Sequence, residues 1–157
     1  MKKVLILDNI RSVYNVGSMF RTSNALGIDE IYLCGITPTP LDKKCRERSD
    51  FAKVALGAEK KALWHYEENT VSIIKKLKEE GYLIIAIEQD KKSVDYKSVD
   101  ISKYDKVAFL VGPEVTGIDK NVLNECDVIA EISMLGEKES LNVTIAMGVA
   151  LYRILNI

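Results

Sequence analysis

Scarcity narrows the chemistry first. The 157 residues include one histidine and three cysteines. Cys34, Cys45 and Cys126 are odd in number and far apart, with no C-x-x-C pair and no His/Cys cluster. That pattern excludes a recognisable zinc site, predicts no metal, and points to reduced thiols in a cytoplasmic protein. His65 lies between Trp64 and Tyr66 in a short strand-like run, where a structural or surface role is expected and not that of a catalytic base. No stretch approaches the roughly 18 uninterrupted apolar residues of a membrane span, so no membrane partner is expected. The start, Met1 to Asp8, is basic, but its apolar run is too short for a signal peptide and reads as a first strand. Neither sign of charge dominates: 22 lysines and arginines stand against 23 acids. That balance argues against indiscriminate nucleic-acid binding. There is no P-loop and no G-x-G-x-x-G fingerprint. Linkers, repeats and charge blocks are missing too. Residues 1–157 therefore read as one domain, long enough for one buried core and too short for two.

What is present alternates between apolar runs and helical patterns. Val4–Leu7, Ile31–Cys34, Leu83–Ile87, Val107–Val111 and Val128–Ile132 read as strands. A helix is expected over Gly17–Leu26, stopping at Gly27. Another follows a cap at Asn69 or Thr70, with Val71, Ile74 and Leu77 on one face and Gly81 as its stop. Asp119 caps a short helix reaching to Glu125, and a last helix runs from Leu141 to about Leu155. The alternation predicts an α/β fold with a mainly parallel sheet flanked by helices. The last helix is apolar on nearly every side, so it must be covered on more than one. It is either a central core helix or, as expected in so small a domain, the seam of a homodimer. Lys43, Lys44, Arg46, Arg48, Lys53, Lys60 and Lys61 crowd one segment. They make either a solvated face or a local phosphate-binding surface.

Three short segments carry the chemistry. Asn15-Val-Gly17-Ser-Met-Phe-Arg21-Thr22 follows the first strand; Asn15 can cap a helix, and Gly17 lets another group approach the backbone. Arg21, about one turn further on, can hold a phosphate in a bidentate grip or be an ordinary surface arginine. Gly112-Pro-Glu114-Val-Thr-Gly117 leaves a buried strand, at the end where open α/β sheets bind ligands, and presents Glu114 at the rim. Ile132-Ser-Met134-Leu-Gly136 leaves the next strand, and Ser140-Leu141-Asn142-Val-Thr opens the last helix. Ser140 or Asn142 can cap that helix. Apolar Met134, Leu135 and Leu141, among polar loop residues and bare amides, suit a flat heterocycle such as adenine.

In order and wording these segments resemble the three motifs of the SpoU (TrmH-like) branch of the SPOUT RNA methyltransferases. The likeness covers almost the whole chain. Arg48-x-x-x-x-Lys53-Val-Ala-Leu-Gly57-Ala58-Glu59 and Ile87-Glu88-Gln89 fit the same pattern. The resemblance implies a SPOUT α/β knot, with a C-terminal deep trefoil knot, in a homodimer. It implies S-adenosyl-L-methionine as cofactor, bound at Glu88, Gly112, Ile132, Met134 and Leu141. Arg21 is implied to be catalytic, with Asn15, Glu114, Ser140 and Asn142 shaping the site.

The activity so implied is ribose 2'-O-methylation of structured RNA, tRNA ahead of rRNA, with no DNA partner. Catalysis would come mainly from holding the 2'-oxygen in line behind the donor methyl, with no metal required. Arg21 is either the general base, as usually proposed for the family, or a phosphate clamp that polarises the hydroxyl. A guanidinium resists deprotonation in proteins, which weighs against the first role. Without an added RNA-binding domain, the dimeric core and the 43–61 segment would recognise the RNA. Two other readings are an RNA-binding or assembly factor that has kept the fold without turnover, and an unrelated α/β nucleotide-binding domain.

Overall fold

The strand-like runs lie side by side in the computed structural model, which describes residues 1–157. Seven strands, β1 (Lys2–Asp8), β2 (Glu30–Cys34), β3 (Leu63–Glu67), β4 (Leu83–Ile87), β5 (Val94–Asp95), β6 (Lys106–Val111) and β7 (Val128–Glu131), form one sheet in the order β3-β2-β1-β6-β4-β7-β5. Every pairing in it is parallel. Parallel neighbours need crossovers, and helices on these are α1 (Val13–Leu26), α2 (Ser49–Ala55), α3 (Ala58–Lys61), α4 (Thr70–Glu79) and α5 (Lys120–Leu123), while α6 (Val143–Ile154) follows the last strand.

Strand alternation divides the core in two. Leu5 and Leu7 of β1, Ile85 of β4, and Val107, Phe109 and Val111 of β6 face one side, packed under α1, α2 and α6. Val4, Ile6, Ile84, Ala86, Ala108 and Leu110 face the other, under α4 and α5. The central strands are apolar on both faces because both faces are covered. No helix is long and apolar enough to cross a membrane.

Several boundaries follow the expected local chemistry. Gly27 adopts the left-handed conformation (φ 63°) that ends α1, and Asn69 caps α4 by accepting from the Ser72 N–H at 3.1 Å. Asp119 caps α5 through the Asn121 N–H at 2.7 Å. Three details differ. α1 begins at Val13 under a Ser12 cap, a turn earlier than Gly17, so Asn15 lies inside the helix and not at its cap. α6 begins at Val143, and of its two candidate caps Asn142 acts, through the Thr144 N–H at 2.9 Å. The basic segment runs through a loop into α2 and α3 and partly neutralises itself: Arg46 pairs with Asp42 (2.8 Å), Arg48 with Asp50 (2.8 Å) and Lys60 with Glu47 (3.1 Å).

The group that approaches Gly17 is this protein's own α2. A Cβ there would stand 3.1 Å from Val54 Cβ and 3.3 Å from the Phe51 carbonyl oxygen. Beside it the Phe20 and Phe51 rings meet edge to face, with centroids 5.2 Å apart. His65 has a structural setting, its ring stacked on Tyr32 at 5.0 Å. Gly17→Val should therefore overpack the α1–α2 seam and cost about 1–3 kcal/mol in urea unfolding. Unchanged stability would contradict the close packing.

Candidate active site

The loops that matter leave the carboxyl ends of β4, β6 and β7, neighbours in the sheet although far apart in the chain. Beyond β6 the backbone turns at once. Gly117 takes φ 69°, which favours glycine, and its N–H donates to the Pro113 carbonyl at 3.0 Å. The turn is tied down from β4 by Glu88, whose Oε2 accepts from the Ile118 N–H and whose Oε1 accepts from the Gln89 N–H, both at 2.9 Å. From the other side Asn15 of α1 donates its side-chain amide to Glu114 Oε1. One carboxylate thus braces the turn from below, and one amide orients the acid at its tip.

A cleft of about 330 Å³ opens between this turn and the chain that runs from β7 to α6. Glu88, Gly112, Ile132, Met134 and Leu141, the five residues expected to hold a cofactor, all line it, as do Glu114 and Ser140. Ile87, Val143 and Ala146 complete an apolar wall, and Gln89 crosses the opening to donate to the Glu139 carbonyl at 2.9 Å. The bareness of Gly112 has a further cause: a Cβ there would collide with the Ile118 side chain.

Three of the expected site residues lie outside this cleft. Asn15 acts at one remove, through Glu114. Asn142 is engaged as the α6 cap, its Oδ1 accepting from both the N–H and the hydroxyl of Thr144. Arg21 is exposed on α1 and makes no hydrogen bond or ion pair within the chain. It is spaced i,i+7 from Tyr14, itself 66 % exposed, so the two share one outer stripe of α1.

A second cleft, of about 420 Å³, lies across the Pro113–Gly117 turn, over the ends of β1 and β6. Its lining includes Asp8, Arg11, Ile36 and Asp119, none of which the motif reading singled out. Asp8 carried a signal nonetheless, as an acid closing an apolar strand at the ligand-binding end of the sheet. Burial pushes its carboxyl above the ordinary range, against the hydrogen bonds from Thr70 and Asn9. Burial also drives the Cys34 and Cys126 thiols up to about 12, which removes them as nucleophiles at neutral pH.

Known proteins share both the sequence and the arrangement. The 23S rRNA (guanosine-2'-O-)-methyltransferase RlmB of Neisseria meningitidis serogroup B is 30% identical over 148 residues, covering 94% of this chain and 56% of its own. The AdoMet-bound rRNA methyltransferase of Sinorhizobium meliloti superposes with a TM-score of 0.88 at 26% identity, over 99% of this chain and 56% of that one. The TrmH/SpoU tRNA modifying enzyme of A. aeolicus gives a TM-score of 0.84 at 26% identity, over 99% and 74%. The chain thus spans little more than half the length of the curated relatives it matches. Residues 2–152 match the SpoU rRNA Methylase family, and the chain belongs to that family.

Proposed function

We propose that this chain is an S-adenosylmethionine-dependent RNA ribose 2'-O-methyltransferase that acts on tRNA as a cytoplasmic homodimer, with residues 1–157 as one domain. The observation that carries this reading is the convergence of residues 87–89, the 112–117 turn and the 132–141 chain on one cleft. Its size lies within the range of small-molecule sites. Its donor set also fits the cofactor: Ile87, Ile132, Leu141 and Val143 offer an apolar slot for a heterocycle, while Glu88 and Ser140 offer polar anchors beside bare backbone. Bound there, S-adenosylmethionine would supply a methyl group already activated on a sulfonium leaving group. The same reading includes a C-terminal trefoil knot, with the 132–142 chain passing beside the 112–118 turn.

The protein's own part is orientation. Asn15 holds Glu114, and Glu88 holds the turn that carries it, so the rim acid is fixed before substrate arrives. Arg21 grips an RNA phosphate and polarises the 2'-hydroxyl, whose proton passes late in the transfer to solvent water, since a guanidinium is a poor base. Its outer position on α1 fits delivery to the cleft of a second subunit. α6 supports that arrangement: Val143, Met147, Ala150, Leu151 and Ile154 are buried, while Ile145, Val149 and Tyr152 form a second apolar stripe at i, i+4 and i+7. α6 packs against α1, so this stripe and Tyr14 offer apolar surface to a partner copy.

The choice of tRNA is favoured by the A. aeolicus relative, of which this chain spans the larger share. The N. meningitidis relative points to rRNA. Transfer of labelled methyl to tRNA and, separately, to rRNA, followed by nucleoside mapping, should give a 2'-O-methylnucleoside from tRNA. Label only in rRNA would change the substrate. Donor binding with label in neither pool would favour an RNA-binding factor. Arg21→Ala should lower transfer about 100-fold or more while donor affinity and dimerisation persist, and full activity in that variant would remove Arg21 from the mechanism. Ile145→Asp should convert the dimer to a monomer in sedimentation equilibrium; a variant that stays dimeric would exclude the α6 stripe as the seam.

A further inference from the structure

The second cleft shares its Pro113–Gly117 wall with the first, so a ligand spanning that turn would occupy both. Asp8 lies at its base and is 2 % exposed. Asp8 Oδ1 is fully engaged, accepting from the Thr70 hydroxyl and the Asn9 side-chain amide. Its other oxygen, Oδ2, accepts nothing from the protein, and a carboxylate oxygen left free at the floor of a cleft can take an N–H donor from a ligand. The neighbouring charges restrict what that donor can be. Glu114 and Asp119 line the same cleft, and Arg11 is the one cation among its walls. Phosphate is repelled by three acids. A neutral, flat group rich in N–H donors is not, and the exposed side chains of Ile36 and Val115 offer it apolar contact.

Resting on the methyl-transfer reading above, we infer that this second cleft receives the base of the nucleotide to be methylated, and that Asp8 Oδ2 selects bases bearing an exocyclic amino group. Guanine, cytosine and adenine can each donate such an N–H to a carboxylate. Uracil has only its N3–H, flanked by two carbonyls that would face Glu114 and Asp119. A base unstacked into this cleft would leave its ribose at the shared turn, with the 2'-hydroxyl toward Glu114 and the first cleft. Burial raises the proton affinity of Asp8, and the Thr70 and Asn9 hydrogen bonds offset that only in part.

The test is a titration of the protein with 5'-GMP, CMP, AMP and UMP, followed through the backbone amide resonances of Asn9, Arg11 and Val115. It is run with and without S-adenosylhomocysteine. The three amino-bearing nucleotides should shift these amides with affinities about tenfold above UMP. Asp8→Asn should erase or invert that preference, because the amide can turn a donor toward the base. Ile36→Trp, at a position 60 % exposed, should block all four nucleotides while the S-adenosylhomocysteine affinity is kept. UMP binding as well as GMP, an unchanged preference in Asp8→Asn, or shifts confined to amides outside this cleft would each overturn the assignment. Failure of S-adenosylhomocysteine to bind would count against methyl transfer instead, and the base preference would still be read from the titration without it.

Discussion

β1 and β6 are far apart in the chain, yet they pair in parallel register with Leu7 opposite Val111. Asp8 and Gly112, the residues that follow, therefore leave the sheet side by side, and both clefts open around them. The pairing holds because each strand is apolar on both faces. Phe109 and Val111 lie against α1 and α6, while Ala108 and Leu110 lie against α4 and α5. A polar residue inside either strand would leave buried groups unpaired on one side or the other. Both sites hang from this constraint, since neither is built from one continuous piece of chain.

The loops over the strand ends are held by few but well-directed contacts. Glu88 uses both carboxylate oxygens on backbone N–H groups, one on its own loop and one on the 112–118 turn. Glu114 is then turned by Asn15, so the first helix, the fourth strand and the sixth strand meet at one turn of backbone. Such cross-bracing limits the entropy left to be lost when a ligand arrives, which is how a largely loop-built site can be preorganised. The apolar outer stripe of α6 has no such partner within the chain. The helix is finished on its inner side and unfinished on its outer one.

Charge follows the same division. The segment rich in lysine and arginine spends much of that charge on its own acids, in the pairs Arg46–Asp42, Arg48–Asp50 and Lys60–Glu47. Exposed pairs of this kind add little stability, but they leave less positive field for any anionic partner. Arg21 has no such neighbour and keeps its charge free at the surface.

Six of the seven strands, several helix ends and residues lining the first cleft were legible in the sequence, whereas β5, α2 and α3 were not. Those features depend on local order: apolar alternation, a glycine at a left-handed stop, an Asn or Asp cap, and motif wording that marks strand–loop junctions. Helix starts were less legible. Asn15 and Gly17 both suit a helix start, yet α1 is capped earlier by Ser12, whose hydroxyl accepts from the Asn15 N–H, and Gly17 lies inside the helix against Val54 and Phe51. The strand order, the pairing of Asn15 with Glu114, the bracing by Glu88 and the open oxygen of Asp8 belong to tertiary structure alone. Each joins residues that are distant in the chain, and no local propensity encodes which strand ends meet.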